Sequence, residues 1–145
     1  SDLGVSKIVN YRIENGFGNT SQGTIEIDTI KLEKNNHYHM VAELYNEKYL
    51  PTQDITEEVI AEKNEHLFLY NTIASSGAGV LSFVHGSADD NGMPFNQTID
   101  VITLAKGTSL LQVNLMHEPS NKNGKTPDES GGETDVEAIF PVVIN

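Results

Sequence analysis

Five histidines are the residues of this sequence best suited to chemistry, because imidazole binds metal ions and exchanges protons near neutral pH. They are His37, His39, His66, His85 and His117. His37 and His39 form an H-x-H pair, and residues i and i+2 of a strand lie on the same face of a sheet. Both imidazoles can therefore reach one metal ion. The alternative is that the pair belongs to a solvated strand face.

The other three histidines lie at predicted strand ends. His66 begins one strand, whereas His85 and His117 end theirs. In adjacent antiparallel strands the start of one lies beside the end of its neighbour, so these three imidazoles are expected to meet at one end of the fold. With Glu65 or Glu118 they would suit Zn²⁺, Cu²⁺ or a haem iron. Three unrelated polar residues at strand ends are the competing interpretation, since the sequence does not give the strand order.

Residues for catalysis form no recognisable set in the sequence. There is no cysteine and no Gly-x-Ser-x-Gly elbow, and Gly16-Phe17-Gly18 precedes no predicted helix. The turn at 89–92 lacks the full acidic spacing and the downstream Glu of a calcium loop, and its Asn-Gly pair predicts a hairpin turn. We therefore predict a binding protein that is not an enzyme. A cell-envelope hydrolase is the least favoured alternative.

Charge and length exclude several classes of protein. The chain has 145 residues and a net charge of −12, with only nine Lys and Arg residues. This balance disfavours nucleic acid and anionic lipid as partners, because both are bound mainly through basic residues. No apolar run approaches the roughly 18 residues that a membrane-spanning helix needs. The length predicts a single domain over residues 1–145.

The elements that must position the histidines are predicted to be mostly strands. The clearest signal is Asp135–Asn145, where apolar residues alternate over five positions and Pro141 indicates an edge strand or a bulge. Seven or eight short strands at this spacing predict an all-β fold, an antiparallel β-sandwich of the immunoglobulin-like or transthyretin-like kind. One short helix is expected near residues 55–62, where Asp54 and Glu57 have capping-box spacing.

Three further expectations concern breaks between strands. The alternation changes phase at Asp28-Thr29, which indicates a bulge or a turn. Residues 15–23 contain three glycines and are predicted to form a loop. Residues 119–134 have no apolar residue except prolines, so we expect a long polar loop, mobile or of the Ω type.

Four segments resemble a family of small secreted or outer-membrane lipoproteins from Bacteroidetes. They are Asp54–Glu58, Glu65–Tyr70, Leu115–Pro119 and Gly131–Ile144, and their order and spacing agree from about Ile8 to the end of the chain. His66 and His117 lie inside the matching segments, whereas His37, His39 and His85 do not. The resemblance implies a lipid-anchored, extracytoplasmic protein at the cell surface, with a mature chain that begins after a lipidated cysteine.

The same resemblance implies a partner, because such lipoproteins accompany TonB-dependent outer-membrane receptors as accessory proteins. The leading hypothesis is therefore a binding protein that captures a metal ion, haem or a similar small nutrient and passes it to such a receptor. The alternative is a protein–protein interaction module without a small ligand, which docks through exposed strand edges or the 119–134 loop.

Overall fold

Segments with period-2 alternation form strands in the computed structural model, which describes residues 8–13, 24–46, 53–77 and 81–145. Those residues form eleven strands: β1 (Tyr11–Ile13), β2 (Thr24–Ile27), β3 (Ile30–Leu32), β4 (His37–Val41), β5 (Tyr45–Asn46), β6 (Gln53–Asp54), β7 (His66–Gly77), β8 (Leu81–Val84), β9 (Thr98–Thr103), β10 (Gly107–His117) and β11 (Glu133–Ile144). They also form helices α1 (Ile55–Ala61) and α2 (Pro127–Ser130) and a 3₁₀ turn, Lys63–Glu65. The loop predicted at 15–23 lies outside the described residues.

Two larger sheets dominate the fold. One has the order β3-β11-β10-β7, and the other has the order β4-β9-β8. The pairings are antiparallel except for that of β11 with β3. The prediction of an all-β, sandwich-like fold is thus confirmed, whereas its immunoglobulin-like or transthyretin-like character stays a prediction. The strands outnumber the predicted seven or eight, and one of the additional breaks, between β2 and β3, falls at Asp28-Thr29, where the alternation changes phase.

The main core is filled by the inward-facing residues of both larger sheets. Leu81 and Val101 come from the three-stranded sheet, and Leu111, Val142 and Ile144 come from the four-stranded sheet. A second cluster joins Val59 of α1 to Phe68, Phe95 and Leu115. Removal of such residues from water is the main favourable term in folding.

Helix α1 lies where the sequence predicts a helix. The Asp54 carboxylate accepts a hydrogen bond from the Thr56 backbone N–H at 2.9 Å, and acidic residues occupy the first turn. Both features satisfy or complement the free N–H groups at the start of a helix.

Pro141 lies in the part of β11 that, among the described residues, has a strand neighbour on one side only, as expected because proline has no N–H group to donate. It pairs with Leu110 of β10, but the ladder between β11 and β3 begins only at Val142. Within the described residues, β11 therefore has a single strand neighbour up to Pro141 and two from Val142 onward. The register shift of β11 lies elsewhere, at Asp135.

The polar segment 119–134 is more ordered than expected, because it contains α2 and packs on the four-stranded sheet. Helix α2 contacts β10, and Asn71 donates a hydrogen bond to the Lys125 backbone carbonyl at 3.0 Å. Lys122 anchors the segment: its Nζ lies 2.7 Å from Asp89 Oδ2 and 2.8 Å from the Lys63 carbonyl. Only 10% of the Lys122 side chain and 1% of the Asp89 side chain are exposed.

We expect Lys122→Met to lower the free energy of unfolding by about 3–5 kcal/mol, because it leaves the Asp89 carboxylate buried without its cation. Urea unfolding followed by circular dichroism measures the loss. Lys125→Met is the matched control, since Lys125 is exposed and uses only its backbone in this segment.

The pH dependence of the stability difference between the parent and Lys122→Met is a second readout. Burial favours a raised pKa for Asp89, but the hydrogen bonds from Lys122, Met93 and Asn91 outweigh it and hold the pKa below its ordinary value. The stabilisation is then present above the unfolded-state pKa of about 3.9 and is lost as the pH falls through the lower folded-state value. The stability gap between the parent and Lys122→Met should narrow below about pH 4; a constant gap down to pH 2 contradicts this account.

Candidate metal-binding sites

The fold gathers all five histidines around two aspartates. His37, His39 and His85 surround Asp100, and we call these four residues the Asp100 site. His66 and His117 lie beside Asp135, and we call these three residues the Asp135 site. Each site offers two imidazole nitrogens and one carboxylate oxygen within 4.8 Å of one another. Nitrogen and oxygen donors of this kind bind divalent transition metals.

Strand alternation explains why the Asp100 site faces outward. Tyr38 and Met40 pack against the main core, so their neighbours His37 and His39 point away from it. In the ladder between β4 and β9, His39 lies opposite Asp100, and Val84 of β8 lies opposite Asp100 on the other side. His85 follows Val84 directly, which brings a third imidazole to the same carboxylate.

The two oxygens of Asp100 have different partners. His37 Nε2 and His85 Nδ1 each lie 3.1 Å from Oδ2, whereas His39 Nδ1 lies 2.8 Å from Oδ1. Hydrogen bonds from His39, then His37, and also from His85 lower the pKa of Asp100 to about 2, although burial opposes them. The carboxylate therefore remains ionised, which is the form that binds a cation.

The backbone at His85 is held in an unfavourable conformation. Its φ of 56° lies in the left-handed region, which costs non-glycine residues energy. Gly86 follows, and a Cβ there would lie 1.9 Å from Asn96 Oδ1, so a side chain at this position would require the Asn96 side chain to move. This turn brings the His85 ring to Asp100, where Nδ1 lies 3.1 Å from Oδ2.

In the Asp135 site the two imidazoles come from directly paired residues. His66 begins β7 and His117 ends β10, and the two are partners in the ladder. Their rings stack with centroids 4.9 Å apart and an interplanar angle of 12°. The His66 side chain is only 8% exposed, compared with 35% for His117.

A β-bulge supplies the carboxylate of this site. Leu115 pairs with Val136 and Met116 pairs with Thr134, so Asp135 is an extra residue without a partner in the ladder. Bulges turn a side chain away from the direction that simple alternation gives it. Asp135 Oδ2 lies 3.7 Å from His66 Nε2 and 3.7 Å from His117 Nδ1.

The nitrogen–oxygen separations of both sites are close to those around a bound ion. With metal–nitrogen bonds of about 2.0–2.1 Å, two ligands of a tetrahedral Zn²⁺ lie about 3.4 Å apart. The separations of 3.1 Å at Asp100 and 3.7 Å at Asp135 differ from that value by a few tenths of an ångström.

The structure groups the histidines differently from the sequence prediction. It brings His37 and His39 together on one face, as expected from the H-x-H spacing, and it places His66 beside His117. His85 does not join those two, because β8 belongs to the sheet of β4 and β9 rather than to the sheet of β7 and β10.

The carboxylates that join two or more histidines are those of Asp100 and Asp135; of the two glutamates proposed from the sequence, Glu118 lies beside His117 alone. Glu118 Oε1 lies 3.9 Å from His117 Nε2, while Glu65 contributes a backbone carbonyl that accepts from the Glu118 N–H. Asp100 and Asp135 were not among the residues predicted from the sequence. Asp100 carried a usable signal, since it lies on the polar face of an alternating strand between Ile99 and Val101. Asp135 carried none, because the bulge is not visible in the pattern.

Comparisons with protein-family models, curated proteins and solved structures find no match to this chain. The residues that the structure describes include no helix long and apolar enough to cross a membrane.

Substitutions at His85 test whether the backbone of this residue adopts the left-handed conformation. His85→Asn should leave the free energy of unfolding within about 0.5 kcal/mol of the parent, because Asn tolerates the left-handed region. His85→Val removes the ring as well but should cost about 1–2 kcal/mol, because a β-branched residue is strained there. Urea unfolding of both variants measures the difference, and equal stability would contradict a left-handed His85.

Proposed function

We propose that this protein is a non-enzymatic, cell-surface binding lipoprotein that captures a divalent transition metal ion, Zn²⁺ or Cu²⁺, at the Asp100 site. The observation that carries the proposal is the convergence of three imidazoles on one ionised carboxylate. His37 and His39 lie on β4, Asp100 lies on β9, and His85 directly follows β8. These three strands form one sheet, so the metal-binding side chains are attached to a rigid support.

The donor atoms divide into ligands and a positioning group. His37 Nε2, His85 Nδ1 and Asp100 Oδ2 are the three that lie close enough to share one ion. His39 binds the other oxygen, Oδ1, and so orients the carboxylate without contacting the ion. Three protein ligands leave a further coordination position for water. The exposed His37 and His85 side chains leave that position open to water.

Exposure of the site suits capture and release. The His37, His39 and His85 side chains are 56%, 63% and 71% exposed, so an ion can reach and leave them without a change in the fold. The net charge of −12 attracts cations and raises their local concentration, an effect that salt screens.

The chemistry of the site favours a free ion over haem. A carboxylate is the centre of the histidine cluster, and it is a common ligand for Zn²⁺ and other divalent ions. Haem iron is bound instead by an axial His, Met, Cys or Tyr. Among free ions, imidazole with carboxylate suits Zn²⁺ and Cu²⁺.

The resemblance to Bacteroidetes lipoproteins supports the remaining part of the proposal. It favours a lipid anchor at the outer membrane and transfer of the ion to a TonB-dependent receptor. In such a system an exposed, exchangeable site would be the one that presents the ion to its receptor.

Calorimetric titration with Zn²⁺, Cu²⁺ and haemin tests the site. We expect binding of Zn²⁺ or Cu²⁺ tighter than about 100 µM, and loss of the Asp100-site component in a His37→Ala/His85→Ala double variant. His39→Ala should weaken that component by about tenfold, as expected for a group that orients a ligand.

Val41→Ala is the matched control, because Val41 is an exposed residue on the same strand and face as His37 and His39. It should bind like the parent. Unchanged binding in the His37→Ala/His85→Ala variant would overturn the assignment, as would the absence of any metal binding tighter than about 100 µM.

A further inference from the structure

We infer that His66, His117 and Asp135 form a second metal site, which holds Zn²⁺ more tightly than the Asp100 site and links three strands. The inference stands on different residues from those that carry the proposed function. It rests on the ring orientation of His66, the burial of that side chain and the bulge that aims Asp135 at both rings.

A backbone hydrogen bond prepares His66 to bind a metal. Its Nδ1 lies 3.0 Å from the Glu62 carbonyl, which can only accept, so Nδ1 carries the proton and Nε2 carries the lone pair. Nε2 is the atom that faces Asp135. Metal-binding histidines commonly donate their second N–H to a carbonyl in this way, which fixes the tautomer and the ring orientation.

The Asp100 site lacks this preparation. There, the imidazole nitrogens that face the carboxylate lie 2.8–3.1 Å from it and form hydrogen bonds with it. An ion must replace those hydrogen bonds before it can bind. At Asp135 the corresponding separations of 3.7 Å are too long for hydrogen bonds, so an ion displaces none.

Burial strengthens the second site further. The His66 side chain is 8% exposed, and the His117 ring, which stacks on it at 12°, turns on metal binding so that both in-plane lone pairs can point at one ion. Less surrounding water raises the attraction between an ion and its ligands. The segment that leads to Asp135 passes directly against the end of β10, because a Cβ on Gly132 would lie only 2.4 Å from the His117 carbonyl. This close approach holds Asp135 near the two rings.

An ion bound there would join β7, β10 and β11 at one end of the four-stranded sheet. Two imidazoles and one carboxylate suit Zn²⁺, with water in the fourth position. Co²⁺ is a useful probe, because the same site takes neighbouring divalent ions with lower affinity. A tightly held ion at this position also stabilises the folded chain, because the unfolded chain does not contain the site.

The test is a Zn²⁺ titration of the whole chain against a chelating competitor, with the melting temperature as a second readout. The parent should bind two equivalents, one at least about tenfold tighter than the other. Asp135→Asn should lose the tight equivalent and the Zn²⁺-dependent rise in melting temperature. Asp135 is partly exposed and outside the core, so the variant is expected to fold; circular dichroism verifies this.

Glu137→Gln is the matched control, since Glu137 is an exposed acid on the same strand that pairs with Asn114 rather than with a histidine, and it should keep both equivalents. His37→Ala/His85→Ala should keep the tight equivalent and lose the weak one. Retention of tight binding by Asp135→Asn overturns the inference, and so does loss of tight binding in His37→Ala/His85→Ala.

The two proposals fail in different ways. A single equivalent that only Asp135→Asn abolishes supports the second site and contradicts the proposed function at Asp100. A single equivalent that only His37→Ala/His85→Ala abolishes supports the proposed function and contradicts the second site.

Discussion

Strand β10 pairs over its whole length, Gly107–His117, with β7 on one side and β11 on the other, and this double ladder fixes the register of the four-stranded sheet. A slip of one residue would turn Leu111 and Leu115 out of the core and would also separate His117 from His66. The same register therefore determines both the packing of the core and the stacking of the two imidazoles. Tight packing of Leu111 and Leu115, which are 1% and 3% exposed, opposes such a slip.

The two histidine groups are built by different means on this framework. At Asp100, ordinary alternation on a solvated sheet face places side chains from neighbouring strands side by side. At Asp135, the regular ladder is interrupted by one extra residue at the end of a strand pair. At Asp100 the imidazoles are exposed and form hydrogen bonds with the carboxylate. At Asp135 the His66 imidazole is buried, and the lone pair of its Nε2 remains available to a metal ion. These differences are the basis for proposing an exchangeable site and a tightly held ion in one small domain.

Much of the fold could be predicted from the sequence, because most strands alternate apolar and polar residues. The alternation that ends in Ile144 and the helix that begins after Asp54 are both found where expected. The 119–134 segment was predicted less well. Its composition indicates a loop, but its order depends on a buried contact between Lys122 and Asp89, which are far apart in sequence.

The candidate sites were predictable only in part, for a related reason. The H-x-H spacing places His37 and His39 on one face regardless of the strand order. The placement of His85 depends on which strands are neighbours, and that is set by the packing of the two sheets rather than by any local pattern. Asp135 joins its histidines through a bulge, a change of one residue in register that the surrounding alternation hides.

The most direct test of this account is the position of the metal itself. Crystals grown with Zn²⁺ and measured at the zinc absorption edge should show anomalous peaks about 2.0–2.1 Å from imidazole nitrogens at two places. We expect one peak between His37, His85 and Asp100 and a stronger one between His66, His117 and Asp135. Peaks that lie only beside other surface carboxylates, with no peak at either the Asp100 site or the Asp135 site, would contradict the account.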